Sequence, residues 1–463
     1  MHQQDTICAI ASAQGGAIGI IRVSGEDAIN IVSGIFQPFG KKTLNEKEGY
    51  TLTFGKILTE DHQILDEVLI SIFRAPKSYT GENIVEITCH GSFYILQQIL
   101  LRLIKNGCRT AQPGEFTQRA FLNGKMDLSQ AEAVADLINS SSAATHRLAM
   151  NQMKGGFSNE LRSLRDQLLH LTSLLELELD FSDHEELEFA DRSELQHLTQ
   201  QIEQTISRLV KSFSVGNVIK NGVPVAIVGE TNAGKSTLLN LLLKDEKAIV
   251  SNIHGTTRDV IEDTINIQDI TFRFIDTAGI RNTQDEIEVI GIKRTYEKMA
   301  QTEIILWVID SQQLTNIEDS KQRILPHCLD KNLIVVINKS DLLKPGQSEE
   351  IQKELSSIDA PHLFISAKKK EGINRLEQLL VKTAAIPAIT QNDIIVTNIR
   401  HFEALNLALE SIQRVQEGLT NQLSGDFISQ DLREAIHHLS DIVGEVSTDS
   451  VLQNIFKHFC IGK

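Results

Sequence analysis

VAIVGETNAGKST, residues Val225 to Thr237, decides the fold of the chain's largest recognisable part. Four apolar residues run into Gly229, and Gly234, Lys235 and Ser236 follow after four intervening positions. The pattern G-x-x-x-x-G-K-[ST] thus comes directly after a buried-type strand, the context a phosphate-binding loop requires. A triphosphate must be wrapped by backbone N–H groups, and glycine lets the chain come close and turn sharply. The helix opening near Gly234 adds its positive end. Lys235 is expected to reach the outer phosphates as a point charge, and the Ser236 hydroxyl to complete the shell of a magnesium ion. Asn232, Ala233 and Thr237 complete the loop's expected nucleotide contacts.

Four later segments choose the nucleotide. Gly255-Thr256-Thr257-Arg258-Asp259 falls where a switch loop can offer a threonine hydroxyl to magnesium, and Ser251, Asn252, Ile253 and His254 lead into it. Asp276, Thr277, Ala278 and Gly279 follow a strand and place a carboxylate behind the metal and a glycine N–H toward the γ-phosphate. Asn338-Lys339-Ser340-Asp341 follows an apolar strand. The Asp341 carboxylate there can accept both N1–H and N2–H of guanine, a donor pair adenine lacks. Ser366, Ala367 and Lys368, after the next strand, would support the base. Each motif is weak alone, but five in this order resemble a translation-factor-type GTPase domain and predict GTP as the substrate.

Around this core the chain has 463 residues, about three domains by length. Its 45 Lys and Arg against 61 Asp and Glu leave a net charge of −16, so any RNA contact must come from local patches. Cys8, Cys89, Cys108, Cys328 and Cys460 are scattered and form no C-x-x-C, which suits a reducing compartment and argues against zinc or a disulfide frame. The first residues lack a basic flank and no run of about eighteen apolar residues occurs, so a cytoplasmic protein without a membrane anchor is expected.

The expected fold class is multidomain α/β and α+β. Residues 1–120 read as a compact α+β domain, with strands at Ile18–Val23, Tyr50–Leu58, Val68–Phe73 and Ile84–Cys89 and a helix at Ser92–Lys105. Its polar clusters, Arg22 after a strand, Tyr79 to Glu82 in a turn, His90-Gly91, and the run from Pro113 to Asp127, admit plain turn chemistry as well as a ligand. Residues 121–215 and 384–463 read as one discontinuous helical domain. Leu161, Leu164, Leu168, Leu171 and Leu175 make a bundle stripe, as do Ala404, Leu405, Ala408, Leu409 and Ile412. Between Glu176 and Glu194 nine acidic residues face one basic residue, which disfavours RNA phosphate there. Residues 216–383 alternate strands and helices and predict an inserted GTPase domain on a mostly parallel sheet.

Hydrolysis needs a group that orients water and a positive charge for the transition state. Ile280 stands where Ras-like proteins carry glutamine, and Asp285, Glu286 and Glu288 follow as acidic replacements or as caps of a helix N-terminus. Asn232 can give its side-chain oxygen to a monovalent cation beside the phosphates, or it can simply form the turn.

The run AQPGEFTQRAFLNGKMDLSQAEAVADLI, the inserted domain with NAGKST and GTTRD, and the terminal Phe459-Cys460-Ile461-Gly462-Lys463 together resemble the family of bacterial and organellar tRNA-modification GTPases called MnmE or TrmE. The resemblance runs nearly end to end. It implies a homodimer formed through the N-terminal domains and a heterotetramer with a flavin (FAD)-dependent partner of the MnmG or GidA type. The complex would act on tRNA, adding an aminomethyl-type (carboxymethylaminomethyl) group to the wobble uridine C5. By position in the family motifs, Glu288 would be the general base. Asn232, Ser251, Ile253 and Thr256 would ligate potassium, and Ser236 and Thr257 magnesium. Arg22, Glu82, Lys125 and Lys463 would bind 5-formyl- or methylene-tetrahydrofolate. Cys460 matches the family's terminal cysteine, for which packing or redox poise stands beside a place near the folate. Thr231 replaces a common proline, Ser251 a common threonine, and His254 is unusual; the first two keep the needed oxygen.

Two other functions fit parts of the sequence. A ribosome-assembly or RNA-binding regulatory GTPase of the Era type usually carries a basic RNA-binding domain after the GTPase domain, where this chain has helices without a basic cluster. A folate-dependent one-carbon transferase gated by GTP is the other.

Overall fold

The computed structural model describes residues 5–13, 15–180, 192–244, 263–275, 299–313, 317–387, 390, 393–445, 449–457, 459 and 462. The chain divides into two compact units, one of residues 1–139, 149–206 and 403–463, the other of residues 140–148 and 207–402.

The first unit holds a seven-stranded sheet built from β1 (Ile7–Ile10), β2 (Ile18–Ser24), β3 (Phe36–Pro38), β4 (Thr51–Leu58), β5 (Ile64–Phe73), β6 (Ile84–His90) and β7 (Arg109–Thr110), in the order β3-β4-β5-β6-β2-β1-β7. All neighbours are antiparallel except β1 and β7. The four expected strands are β2, β4, β5 and β6; the short β1, β3 and β7 carry too few residues for a period-two pattern to show. Alternation sends Ile21 and Val23 of β2 into a core with Ile57, Ile70, Ile72, Val85 and Ile87, while Arg22 and Ser24 stand on the other face. After α1 (Ala28–Ser33), α2 (Phe93–Lys105) covers the core with Leu96, Ile99 and Leu103, matching the expected amphipathic helix.

Then come α3 (Glu115–Leu122), α4 (Leu128–Ile138), α5 (Ala143–Met153), α6 (Gly156–Asp180) and α7 (Arg192–Asn221). The five leucines of the α6 stripe are all buried, so the 3.6-residue period predicted the packing face.

The second unit's six-stranded sheet comprises β8 (Val223–Val228), β9 (Asp263–Ile267), β10 (Ile270–Phe274), β11 (Ile304–Asp310), β12 (Asn332–Asn338) and β13 (His362–Phe364), in the order β13-β12-β11-β8-β10-β9. It is parallel apart from β9, an edge strand paired antiparallel with β10. β9 is a short edge strand with only Ile265 and Ile267 of its five residues buried, so its sequence signal is weak. Every residue of β11 is buried, as a strand covered on both faces demands. Helices α8 (Lys235–Lys244), α9 (Ile317–Ile324), α10 (Gln347–Leu355) and α11 (Ile373–Ala384) belong here. α12 (Ile399–Thr420), α13 (Gly425–Val443) and α14 (Asp449–Phe456) complete the chain. On α12 the stripe is buried at Ala404, Leu405, Ala408 and Ile412, with Leu409 half-buried. Among the described residues no helix is long and apolar enough to cross a membrane.

Candidate functional site

The carboxyl ends of β8, β11 and β12 and the turn after β13 lie along one edge of the second unit's sheet, where open parallel sheets bind ligands. β8 ends in the phosphate loop. Gly229 has φ +145° and passes so close to β11 that an added Cβ would sit 2.1 Å from the Val308 carbonyl oxygen. Gly234 has φ +94°, and a Cβ there would meet Asn338 Nδ2 at 2.2 Å. Both glycines are therefore required by close approach as well as by backbone conformation. Asn232, at φ +64°, takes the left-handed conformation that asparagine tolerates best among residues with a side chain.

Lys235, the first residue of α8, donates from Nζ to the carbonyls of Gly229 at 2.8 Å and Glu230 at 2.7 Å. Burial pulls its ammonium pKa below the usual lysine range, and the Glu230 carboxylate pulls the other way. Ser236 and Thr237 follow in the first helical turn.

The turn after β12 is built around Asn338, the last residue of that strand and 2% exposed. Its Nδ2 donates to the Ala233 carbonyl at 2.9 Å and its Oδ1 accepts from the Ala367 N–H at 3.0 Å. Lys339, left-handed at φ +61°, reaches Asp310 Oδ2 at 2.6 Å. That turn carries Asp341 outward, where its Oδ1 accepts from the buried Ser366 hydroxyl at 2.7 Å. The Ser366 hydroxyl holds the Asp341 carboxyl below the usual aspartate range. Ser366 Oγ also accepts the Lys369 N–H at 3.2 Å, which closes the turn containing Ala367 and Lys368. A fixed carboxylate beside a fixed turn suits a base with two adjacent N–H donors.

The structure thus brings together Asn232, Ala233, Gly234, Lys235, Ser236 and Thr237 with Asn338, Lys339, Asp341, Ser366, Ala367 and Lys368. Ser251, Asn252, Ile253, His254, Gly255, Thr256, Thr257, Asp276, Thr277, Ala278, Gly279, Glu288, Cys460 and Lys463 lie outside the described residues. Asp310 was missed by sequence reasoning. A charged residue closing the apolar run IILWVID was the available signal.

A second polar constellation stands on the first unit. Arg22 pairs with Glu86 at 2.8 Å, donates to the Gly462 carbonyl at 3.2 Å, and lies over the rings of Tyr79 and Phe116 at 5.7 and 5.6 Å. It sits within β2 rather than at its end. Glu82 accepts from the Ser24 hydroxyl at 2.7 Å and from Arg119 at 3.1 Å. Lys125 runs its stem along Gly81 and donates to the Pro76 carbonyl at 3.0 Å, while Asn123 donates to the Thr80 carbonyl at 2.7 Å. Cations, a carboxylate and the half-buried Tyr79 ring can hold a flat heteroaromatic ligand that carries both N–H donors and acidic groups, while Phe116 is fully buried beneath Arg22. Arg109 and Asp5 were missed, while Glu115 and Arg119 lie in the run from Pro113 to Asp127 but had no role there; the Arg119–Asp5 pair joins residues 114 positions apart and leaves no trace in local spacing.

The family model described as MnmE helical domain matches residues 128–460, and that described as GTP-binding protein TrmE N-terminus matches residues 6–125. The tRNA modification GTPase MnmE of Bacteroides thetaiotaomicron is 64% identical over 465 residues, covering 99% of this chain and 100% of that protein. The proteins of the same name from Phocaeicola vulgatus and Christiangramia forsetii are 62% and 50% identical, each covering 100% of both chains.

Proposed function

The chain belongs to the MnmE family of tRNA modification GTPases, and from that premise we propose that it binds and hydrolyses GTP to drive modification of tRNA. The observation that carries the guanine reading is the Asp341 carboxylate, oriented by Ser366 beside the Asn338 clamp. Magnesium would be held by Ser236 and Thr257. Asn232, Ser251, Ile253 and Thr256 would hold potassium, which supplies positive charge against the β- and γ-phosphates. Glu288 would orient the attacking water.

In this proposal residues 1–120 form the dimerisation and folate domain, residues 121–215 with 384–463 the helical domain, and residues 216–383 the GTPase domain. Arg22, Glu82, Lys125 and Lys463 would bind 5-formyl- or methylene-tetrahydrofolate. The half-buried Tyr79 ring beside Arg22 supports that ligand class. A homodimer would join a flavin-dependent partner of the MnmG type as a heterotetramer in the cytoplasm, and the product would be an aminomethyl-type group on C5 of the wobble uridine. Mass spectrometry of tRNA from a strain lacking the gene tests this directly. Loss of the wobble-uridine modification, restored by the wild-type gene, is expected; unchanged tRNA would exclude the proposal.

A further inference from the structure

Arg119 is 6% exposed and its guanidinium meets three carboxylates. Nη2 donates to Asp5 Oδ1 at 2.8 Å and to Glu115 Oε1 at 3.0 Å. Nη1 donates to the Asp5 main-chain carbonyl at 2.8 Å and to Glu82 at 3.1 and 3.3 Å. Arg109 closes the far side, donating to Asp5 Oδ2 at 2.6 Å and to both oxygens of Glu115 at 2.6 and 3.0 Å.

The charges do not cancel evenly. Asp5 and Glu115 are each gripped by two guanidinium groups, whereas Glu82 receives Arg119 and the Ser24 hydroxyl, itself 2.7 Å from the Thr80 hydroxyl. Among the described residues, two cations against three carboxylates leave one negative charge in surplus. Glu82, with its side chain 21% exposed, is the carboxylate in contact with a single guanidinium. A carboxylate has about four acceptor positions, so acceptor capacity remains at Glu82 for a further N–H donor. Arg22 and Ser24 stand on the same face of β2, which puts Glu82 on the side of the sheet where Arg22 lies over Tyr79 and Phe116.

We propose that Arg119 is a positioning residue: with Asp5 and Glu115 locking its fork, it fixes the Glu82 carboxylate in one orientation toward a ligand edge bearing adjacent N–H donors, such as the amino-oxo edge of a pterin. The proposal rests on the folate assignment of Arg22, Glu82 and Lys125. A planar guanidinium tied at both ends pre-organises its third partner in a way a single ammonium cannot.

The test is a titration of 5-formyltetrahydrofolate into the full-length protein, comparing wild type, R119Q, R119K, E82Q and the double variant R119Q/E82Q, with thermal melting of each. R119Q is expected to weaken folate roughly 10- to 100-fold, the range for a lost hydrogen bond to a charged group. In the E82Q background the same change should cost little further affinity, while its lowering of the melting temperature persists. R119K, which keeps the charge but not the planar fork, should lose less affinity than R119Q. Equal losses of affinity in both backgrounds, or full affinity in R119Q beside a weakened E82Q, would overturn the positioning role and leave the folate site standing. Failure of wild type to bind, or wild-type affinity in E82Q, would overturn the folate assignment and the proposal with it.

Discussion

The side chain of Asn338 donates to the main-chain carbonyl of Ala233 at 2.9 Å and so ties the turn after β12 to the glycine-rich loop after β8. Its other amide atom accepts from Ala367 at 3.0 Å, so one buried side chain sets the distance between three loops. The two halves of the proposed nucleotide site are thereby registered to each other by protein bonds alone.

Asn338→Ala removes both bonds and leaves two main-chain groups unpartnered, at a cost of about 1–3 kcal/mol for each. GTP affinity should fall by roughly 10- to 100-fold, with an earlier thermal transition. Calorimetric titration checks this, and affinity within about twofold of wild type would refute the clamp.

Asp341→Asn replaces an acceptor pair by one donor and one acceptor, so guanine should lose affinity and xanthosine triphosphate gain it. Competition binding with the two nucleotides and with ATP reads the switch; an unchanged order of preference would remove the base-recognition role. The Ser366 hydroxyl depresses the Asp341 pKa, so the ionised form persists as pH falls. GTP affinity should therefore hold level from about pH 8 to about pH 5 and drop only below about pH 4.

Glu115 is 4% exposed. Burial pushes its carboxyl up, but Arg109, the Gln112 N–H and Arg119 outweigh burial and set it below the usual glutamate range. A depressed folded pKa means the contribution to stability is present above about pH 4.3 and is lost as pH falls through the folded value. Glu115→Gln should cost about 3–5 kcal/mol at neutral pH, and the gap between wild type and variant should close under acid conditions. Urea unfolding of both proteins at pH 7 and pH 3.5 measures it, and a pH-independent gap would contradict the ion-pair account.

Potassium dependence tests Asn232. GTP hydrolysis at equal ionic strength should run faster in potassium than in sodium, and Asn232→Ala should abolish the difference. Glu288→Ala should keep GTP binding and lose turnover by about two to four orders of magnitude, the span of general acid–base catalysis. Equal rates in the two salts, or near-normal turnover in the Glu288 variant, would reject the respective role.

The sequence alone determined the elements and the chemistry that reside in short spans. Gly229, Gly234, Lys235 and Ser236 are legible because a phosphate cradle needs those residues at that spacing. The α6 leucines are legible because the helical period repeats along one segment. Only the tertiary structure revealed that Asn338 is the clamp between loops and that Asp310 anchors Lys339. It alone placed Arg119 as the node joining Asp5, Glu82 and Glu115. The reason is the range of the interaction. Packing faces and backbone conformations are written in neighbouring residues, whereas the partners of a buried charge are chosen by which distant segments the fold places within about 3 Å of it.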